Sequence, residues 1–181
     1  SEVDEAVEEI KRILEESKKR LDETSEEIKR ILEDSERRLR ESSKRIRELV
    51  KELKKRIDGG TDDREVEKVE KEIEDILRES EEISKDTEDK IREILKRSRE
   101  ISETTIREIR RLLEDIERRI TDKDKLTRIR EVVDKVVKED EDALREDERT
   151  VREVIKRDRD LLEEDRRTVE DVIRKVRETA R

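Results

Sequence analysis

Nine of the twenty amino acids are missing from this chain of 181 residues: there is no cysteine, histidine, methionine, proline, asparagine or glutamine, and no aromatic residue. Each absence excludes something. Without imidazole or thiol, the common metal ligands and the general base of a nucleophile relay are gone. Without aromatic rings there is no face on which a base could stack. Without cysteine there is no disulfide framework, and the redox compartment is undetermined. No apolar run approaches the length of a membrane span, and no signal-peptide core or other targeting signal is visible, so localisation stays open; the composition suits recombinant cytoplasmic expression.

What remains is an alphabet of eleven residue types in which 60% are charged. Fifty basic against fifty-nine acidic residues give a net charge of −9, which favours solubility and disfavours nucleic acid. High charge with few apolar residues can signal disorder. Here, however, the signs nearly balance, and Val, Ile and Leu recur at strict intervals that a disordered chain has no reason to keep. A solitary charged helix would not need so wide an apolar stripe.

The interval is 18 residues. Ile10-Lys11-Arg12-Ile13-Leu14-Glu15-Glu16-Ser17 returns as Ile28-Lys29-Arg30-Ile31-Leu32-Glu33-Asp34-Ser35. Ile73, Ile76, Leu77 and Ser80 return as Ile91, Ile94, Leu95 and Ser98, and Val136, Val137, Asp140, Leu144 and Asp147 as Val154, Ile155, Asp158, Leu162 and Asp165. Eighteen residues make five turns at 3.6 per turn, so the stripe does not drift around a straight helix; a heptad would demand supercoiling.

Two breaks divide the stripes. Basic Lys51, Lys54, Lys55 and Arg56 precede Gly59-Gly60, which offers a left-handed helix stop, and Thr61-Asp62-Asp63 restarts the chain. Thr121-Asp122-Lys123-Asp124 is the second reversal, and Ser1 with Glu2, Asp4 and Glu5 reads as a helix start. The expectation is an all-α fold: a single domain over 1–181, an antiparallel up-down-up three-helix bundle of long, nearly straight helices at about 2–58, 62–120 and 123–180. Each would be about 85 Å long. Stripes about 120° wide suit a three-helix core.

Polar residues interrupt the middle of these stripes. Residues level with one another across antiparallel helices have numbers of constant sum, and on that basis they fall into four layers. These are Ser17, Ser102, Thr105 and Asp140; Thr24 or Ser25, Ser98 and Asp147; Ser35, Ser84, Thr87 and Asp158; and Ser42 or Ser43, Ser80 and Asp165. Each sets one carboxylate acceptor on the third helix against hydroxyl donors on the other two. A catalytic reading lacks a base and an oxyanion donor. Asp140 and Asp147 would stand about 10 Å apart along the axis, too far for an acid/base pair. A Ca²⁺ or Mg²⁺ site wants several oxygen ligands and more than one carboxylate, and each layer has one. The layers therefore read as structural: a misaligned Asp would be buried without partners, so they fix register and topology. Burial should raise the pKa of these aspartates.

The small alphabet, the near-parametric repeat and serine-bearing segments such as Ile94-Leu95-Lys96-Arg97-Ser98-Arg99-Glu100-Ile101 resemble those of de novo designed helical bundles with buried hydrogen-bond networks. The resemblance is one of style over the whole chain. Such bundles serve as scaffolds, halves of heterodimers or cages for a detachable helix, so it implies no natural biochemical function, no enzyme activity and no cofactor. The leading expectation is a monomeric scaffold that requires no partner and binds neither nucleic acid nor membrane. The alternative is a binding module, three helices of a four-helix bundle that accept a designed helical partner or self-associate as a homo-oligomer, with Ile83, Ile101, Ile106 and Val151 lining the groove.

If the 18-residue unit sets the geometry, deleting one unit in register from each helix should leave a shorter folded bundle. Deleting seven residues from each turns successive stripes by about 20° and should be tolerated less well. Circular dichroism melts of the two constructs compare them directly; equal loss of folding in both would rule out straight helices.

Overall fold

A computed structural model describes residues 2–60 and 62–179; the expected roles of Ser1, Thr61 and Ala180 fall outside it. Three helices fill it: α1 (Glu2–Asp58), α2 (Asp63–Arg119) and α3 (Lys123–Thr179), each of 57 residues. The fold is a three-helix bundle.

The ends of the helices are set by local chemistry. Gly60 has φ of 68°, in the left-handed region that costs other L-residues Cβ–carbonyl repulsion. That conformation lets its N–H donate to the Ile57 carbonyl at 3.3 Å, while the Gly59 N–H donates to Lys55 at 3.0 Å. Two of the carbonyls orphaned at the end of α1 are thereby satisfied. Asp62 caps α2: its carboxylate accepts from the Arg64 N–H at 3.3 Å, and its carbonyl accepts from Glu65 at 3.0 Å. Asp122 does the same for α3, taking the N–H groups of Asp124 (3.1 Å) and Lys125 (3.3 Å) on one carboxylate oxygen. Acidic residues in the first turns and basic residues in the last complement the helix dipoles.

Packing divides the chain into two compact units. The first holds α1 up to Lys29 together with Ile91–Thr150. Its core is Ile10 and Leu14 on α1, Ile109 and Ile116 on α2, and Val133 on α3. Ion pairs give the chain directions within it. Arg119 meets Glu2 and Arg97 meets Glu27, so α2 runs against α1. Arg130 meets Glu117 and Arg99 meets Glu148, so α3 runs against α2. Lys125 reaches Asp4 at 3.0 Å and Ser25 reaches Asp147, an offset near 122 each time, so α1 and α3 are parallel.

The second unit holds Arg30–Lys90 and the chain from Val151 onward. Its core is larger, with Ile46, Leu49, Val50 and Leu53 on α1 against Val66, Val69 and Ile73 on α2 and Val169 and Val172 on α3. Arg45–Glu72 and Arg56–Glu65 place α2 against α1, and Arg159–Glu88 and Arg166–Glu81 place α3 against α2. The direction is up-down-up in both units. Each buried aliphatic side chain contributes about 1.5–3 kcal/mol, whereas these exposed ion pairs contribute under about 1 kcal/mol each. Aliphatic burial holds the helices together, and the ion pairs report their alignment.

Gly60→Ala should cost about 1 kcal/mol from backbone strain alone, since a Cβ there would meet nothing within 4 Å. Asp122→Ala should cost about 1 kcal/mol through loss of the cap. Urea titration of each variant measures both; a neutral Gly60→Ala would mean that the left-handed turn is not required.

Candidate functional site

Two kinds of polar position occur in the cores. At the first, a hydroxyl and a carboxylate meet. In the first unit Ser25 Oγ donates to Asp147 Oδ2 at 2.6 Å. In the second, Ser43 Oγ donates to Asp165 Oδ1 at 3.0 Å. The pairs lie 18 residues apart on each helix, so the repeat reproduces the contact. Of the sequence alternatives, Ser25 rather than Thr24 takes the carboxylate in one unit; Thr24 donates to its own helix at the Arg20 carbonyl, 2.8 Å away. In the other, Ser43 is buried and bonded while Ser42 is only half-buried. On α2, Ser98 and Ser80 are buried but turn back to the Ile94 and Ile76 carbonyls at 3.1 and 3.0 Å. A helical serine always has that i−4 carbonyl within reach, and it competes with any partner on another helix.

At the second kind, the carboxylate and the serine each stand without a hydrogen bond. Ser17 in the first unit and Ser35 in the second, again 18 residues apart, have buried hydroxyls with no partner among the described residues. Their counterparts by register are Asp140 and Asp158. Ser102 and Thr105 are buried in the first unit, as is Thr87 in the second, and Ser84 is half-buried.

Desolvation dominates the titration of these carboxylates. It pushes Asp158, 7% exposed, up from 3.8 to about 6, reinforced by the Glu36 charge and opposed by Arg157. It raises Asp140 as well, against the pull of Lys18. Asp165 is also raised by burial, with the Ser43 hydrogen bond and the Arg47 charge working the other way. A neutral hydroxyl donor thus offsets only part of what burial costs an ionised carboxylate.

The repeat supplies an internal comparison. Eighteen residues before Ser25 and Asp147 stand Val7 and Ile129, so the same position carries an aliphatic pair in the first repeat and a Ser–Asp pair in the next two. The sequence pattern alone could have shown this. Chemically, the Ser–Asp pairs have no third group to relay a proton. Among the described residues no group of three or more acidic side chains is arranged to hold a metal ion, and no helix is long and apolar enough to cross a membrane. Ile83, Ile101 and Ile106 are half-buried and Val151 is buried, so none of these four is exposed.

The sign of the pH dependence follows from Asp158. Its folded pKa lies above the unfolded value, so its contribution is full below about pH 4 and is lost as pH rises through about 6. Stability should therefore fall by roughly 2–3 kcal/mol across that window. Asp158→Asn should flatten the decline in urea titrations from pH 4 to 7. An unchanged slope would mean that Asp158 is solvated.

No protein-family model matches the chain, and no curated protein matches it. Among solved structures it is similar to one described as "Computationally designed three helix bundle", with a TM-score of 0.69 and 18% sequence identity over 98% of this chain and 91% of that one. At that identity the likeness concerns the fold, and it agrees with the geometry above: this chain is a three-helix bundle.

Proposed function

We propose that the chain is a designed structural scaffold without enzymatic activity, in which Ser–Asp contacts select the register and topology of the helices. The observation that carries this reading is the recurrence of one hydrogen bond, Ser25–Asp147 and Ser43–Asp165, with the same offset of 122 residues. Aliphatic layers are interchangeable, so sliding α3 by a turn along α1 costs them little. The same slide would bring Asp147 to the level of Leu21 or Ile28, where no donor exists. A carboxylate buried without a donor costs several kcal/mol, enough to empty the slipped state. Polar positions used this way trade some stability for a single arrangement.

The designed origin rests on the sequence style together with the designed neighbour of the same fold. The absence of histidine and cysteine and the purely hydroxyl surroundings of the aspartates support a non-catalytic role that needs no cofactor. The burial of the four flank residues supports a monomer on that face, and a charge of −9 supports indifference to nucleic acid.

The aliphatic first repeat dictates the test. Ser25→Val with Asp147→Ile, and Ser43→Val with Asp165→Ile, rebuild both positions in the image of Val7 and Ile129. The quadruple variant should match or exceed the parent in thermal stability, because packing easily outdoes a buried polar pair. It should also lose uniqueness, shown by doubled amide resonances or by species heavier than 22.0 kDa in light scattering. Ser25→Val alone should cost about 1–3 kcal/mol, since Asp147 then loses its donor. A quadruple variant that stays monodisperse with one set of resonances would defeat the register proposal.

A further inference from the structure

Within the first unit, α1 and α3 leave an open groove between them, and its charges are sorted by position. One part is a cleft of about 200 Å³ with an apolar floor that includes Val7, Ile10 and Ile129. Beside it stands Val132, 53% exposed and the one exposed large hydrophobic among the described residues. The repeat makes Val132 unusual, since the equivalent positions one and two repeats on are Thr150 and Thr168. The charged residues lining this cleft are Lys11, Lys125 and Arg128, all cationic. Glu8 and Asp4, the exposed partners of the two lysines, are not part of the lining.

The second part, about 350 Å³, shares Leu14 with the first and continues along the same two helices to Ser25 and Asp147. Its charge is reversed: Glu15, Asp22, Glu139, Asp140 and Asp147 outnumber Lys18. Asp140 accepts no hydrogen bond among the described residues. Ala143, exposed between Asp140 and Asp147, keeps the wall low enough for a backbone to approach. From Lys125 to Asp147 the groove runs about 33 Å, some six turns of helix.

We propose that this groove docks a fourth, amphipathic helix from another protein, running antiparallel to α1 and α3. Direction follows from charge. An antiparallel helix brings its positive N-terminal dipole end to Asp140 and Asp147 and its negative C-terminal end to Lys11, Lys125 and Arg128. A parallel helix would oppose both ends. The floor asks for aliphatic anchors at i, i+3, i+4 and i+7 spacing, and Asp140 asks for a hydroxyl or cationic donor. The groove adds to the scaffold reading and does not rest on it, because register selection within the bundle and capture of a helix on its outside fail independently.

A suitable probe is a fluorescently labelled peptide of residues 91–117. It carries Ser98 and Ser102, a basic N-terminal part with Arg92, Lys96, Arg97 and Arg99, and an acidic end at Glu114, Asp115 and Glu117. Titrated with the full chain, it should show saturable one-to-one anisotropy that weakens as salt rises. Val132→Thr with Ala143→Gln alters only exposed positions and should weaken binding at least tenfold while leaving the melting curve unchanged. Glu41→Gln, exposed in the other unit, should leave binding as it was. Hydrogen exchange should show new protection around Val132 and Ala143 with α2 as protected as before. No saturable binding up to millimolar concentrations, indifference to the double variant, or lost protection in α2 through displacement would each overturn the proposal. So would concentration-dependent mass of the chain alone that the double variant abolishes, which would assign the groove to a second copy.

Discussion

A carboxylate that sits in an apolar stripe must find a proton donor or give up its charge, and in this chain the donors available inside are serine and threonine hydroxyls. That constraint separates the polar positions into two kinds. Where the donor on α1 aims at α3, a hydrogen bond closes, as at Ser25–Asp147 and Ser43–Asp165. Where no hydrogen bond closes, Ser17 and Ser35 keep orphaned hydroxyls and the carboxylates at their level, Asp140 and Asp158, are driven toward the neutral acid. A free Ser hydroxyl is cheap to leave unpaired beside an ionised carboxylate, so the energetic weight falls on the aspartates.

The helices themselves need little from these positions. Their straightness comes from a repeat commensurate with 3.6 residues per turn, their ends from Gly60, Asp62 and Asp122, and their association from Ile, Leu and Val. Aliphatic burial sets how strongly the helices bind but discriminates poorly among registers that present equivalent stripes. The polar positions invert that balance, since they add little favourable energy and penalise misalignment heavily. The aliphatic Val7–Ile129 pair shows that the repeat accepts either solution at the same place.

Surface charge plays a third part. Ion pairs such as Arg99–Glu148 and Arg159–Glu88 occur at matched levels in the two units, at an exposure where each is worth little. Along the α1–α3 groove of the first unit the charges are instead segregated, cations by Val132 and anions by Ala143. Sorting of that kind does nothing for the bundle's own cohesion, and it gives the groove a direction that an incoming helix dipole can read.

Helix number, direction and approximate ends were legible in the sequence because they depend on local, periodic signals: the 18-residue spacing, the glycine pair and the aspartate caps. So was the pairing of aspartates on α3 with hydroxyls on α1, through register. Which hydroxyl bonds was not. Thr24 and Ser25 both lie midway between Leu21 and Ile28, and only the position of α3 relative to α1 turns one toward Asp147 and leaves the other to its own helix. The return of Ser80 and Ser98 to their own carbonyls likewise depends on side-chain rotation against neighbours. Periodicity along one helix determines which face is buried, while the gap between two helices, filled by side chains from both, decides which atoms meet.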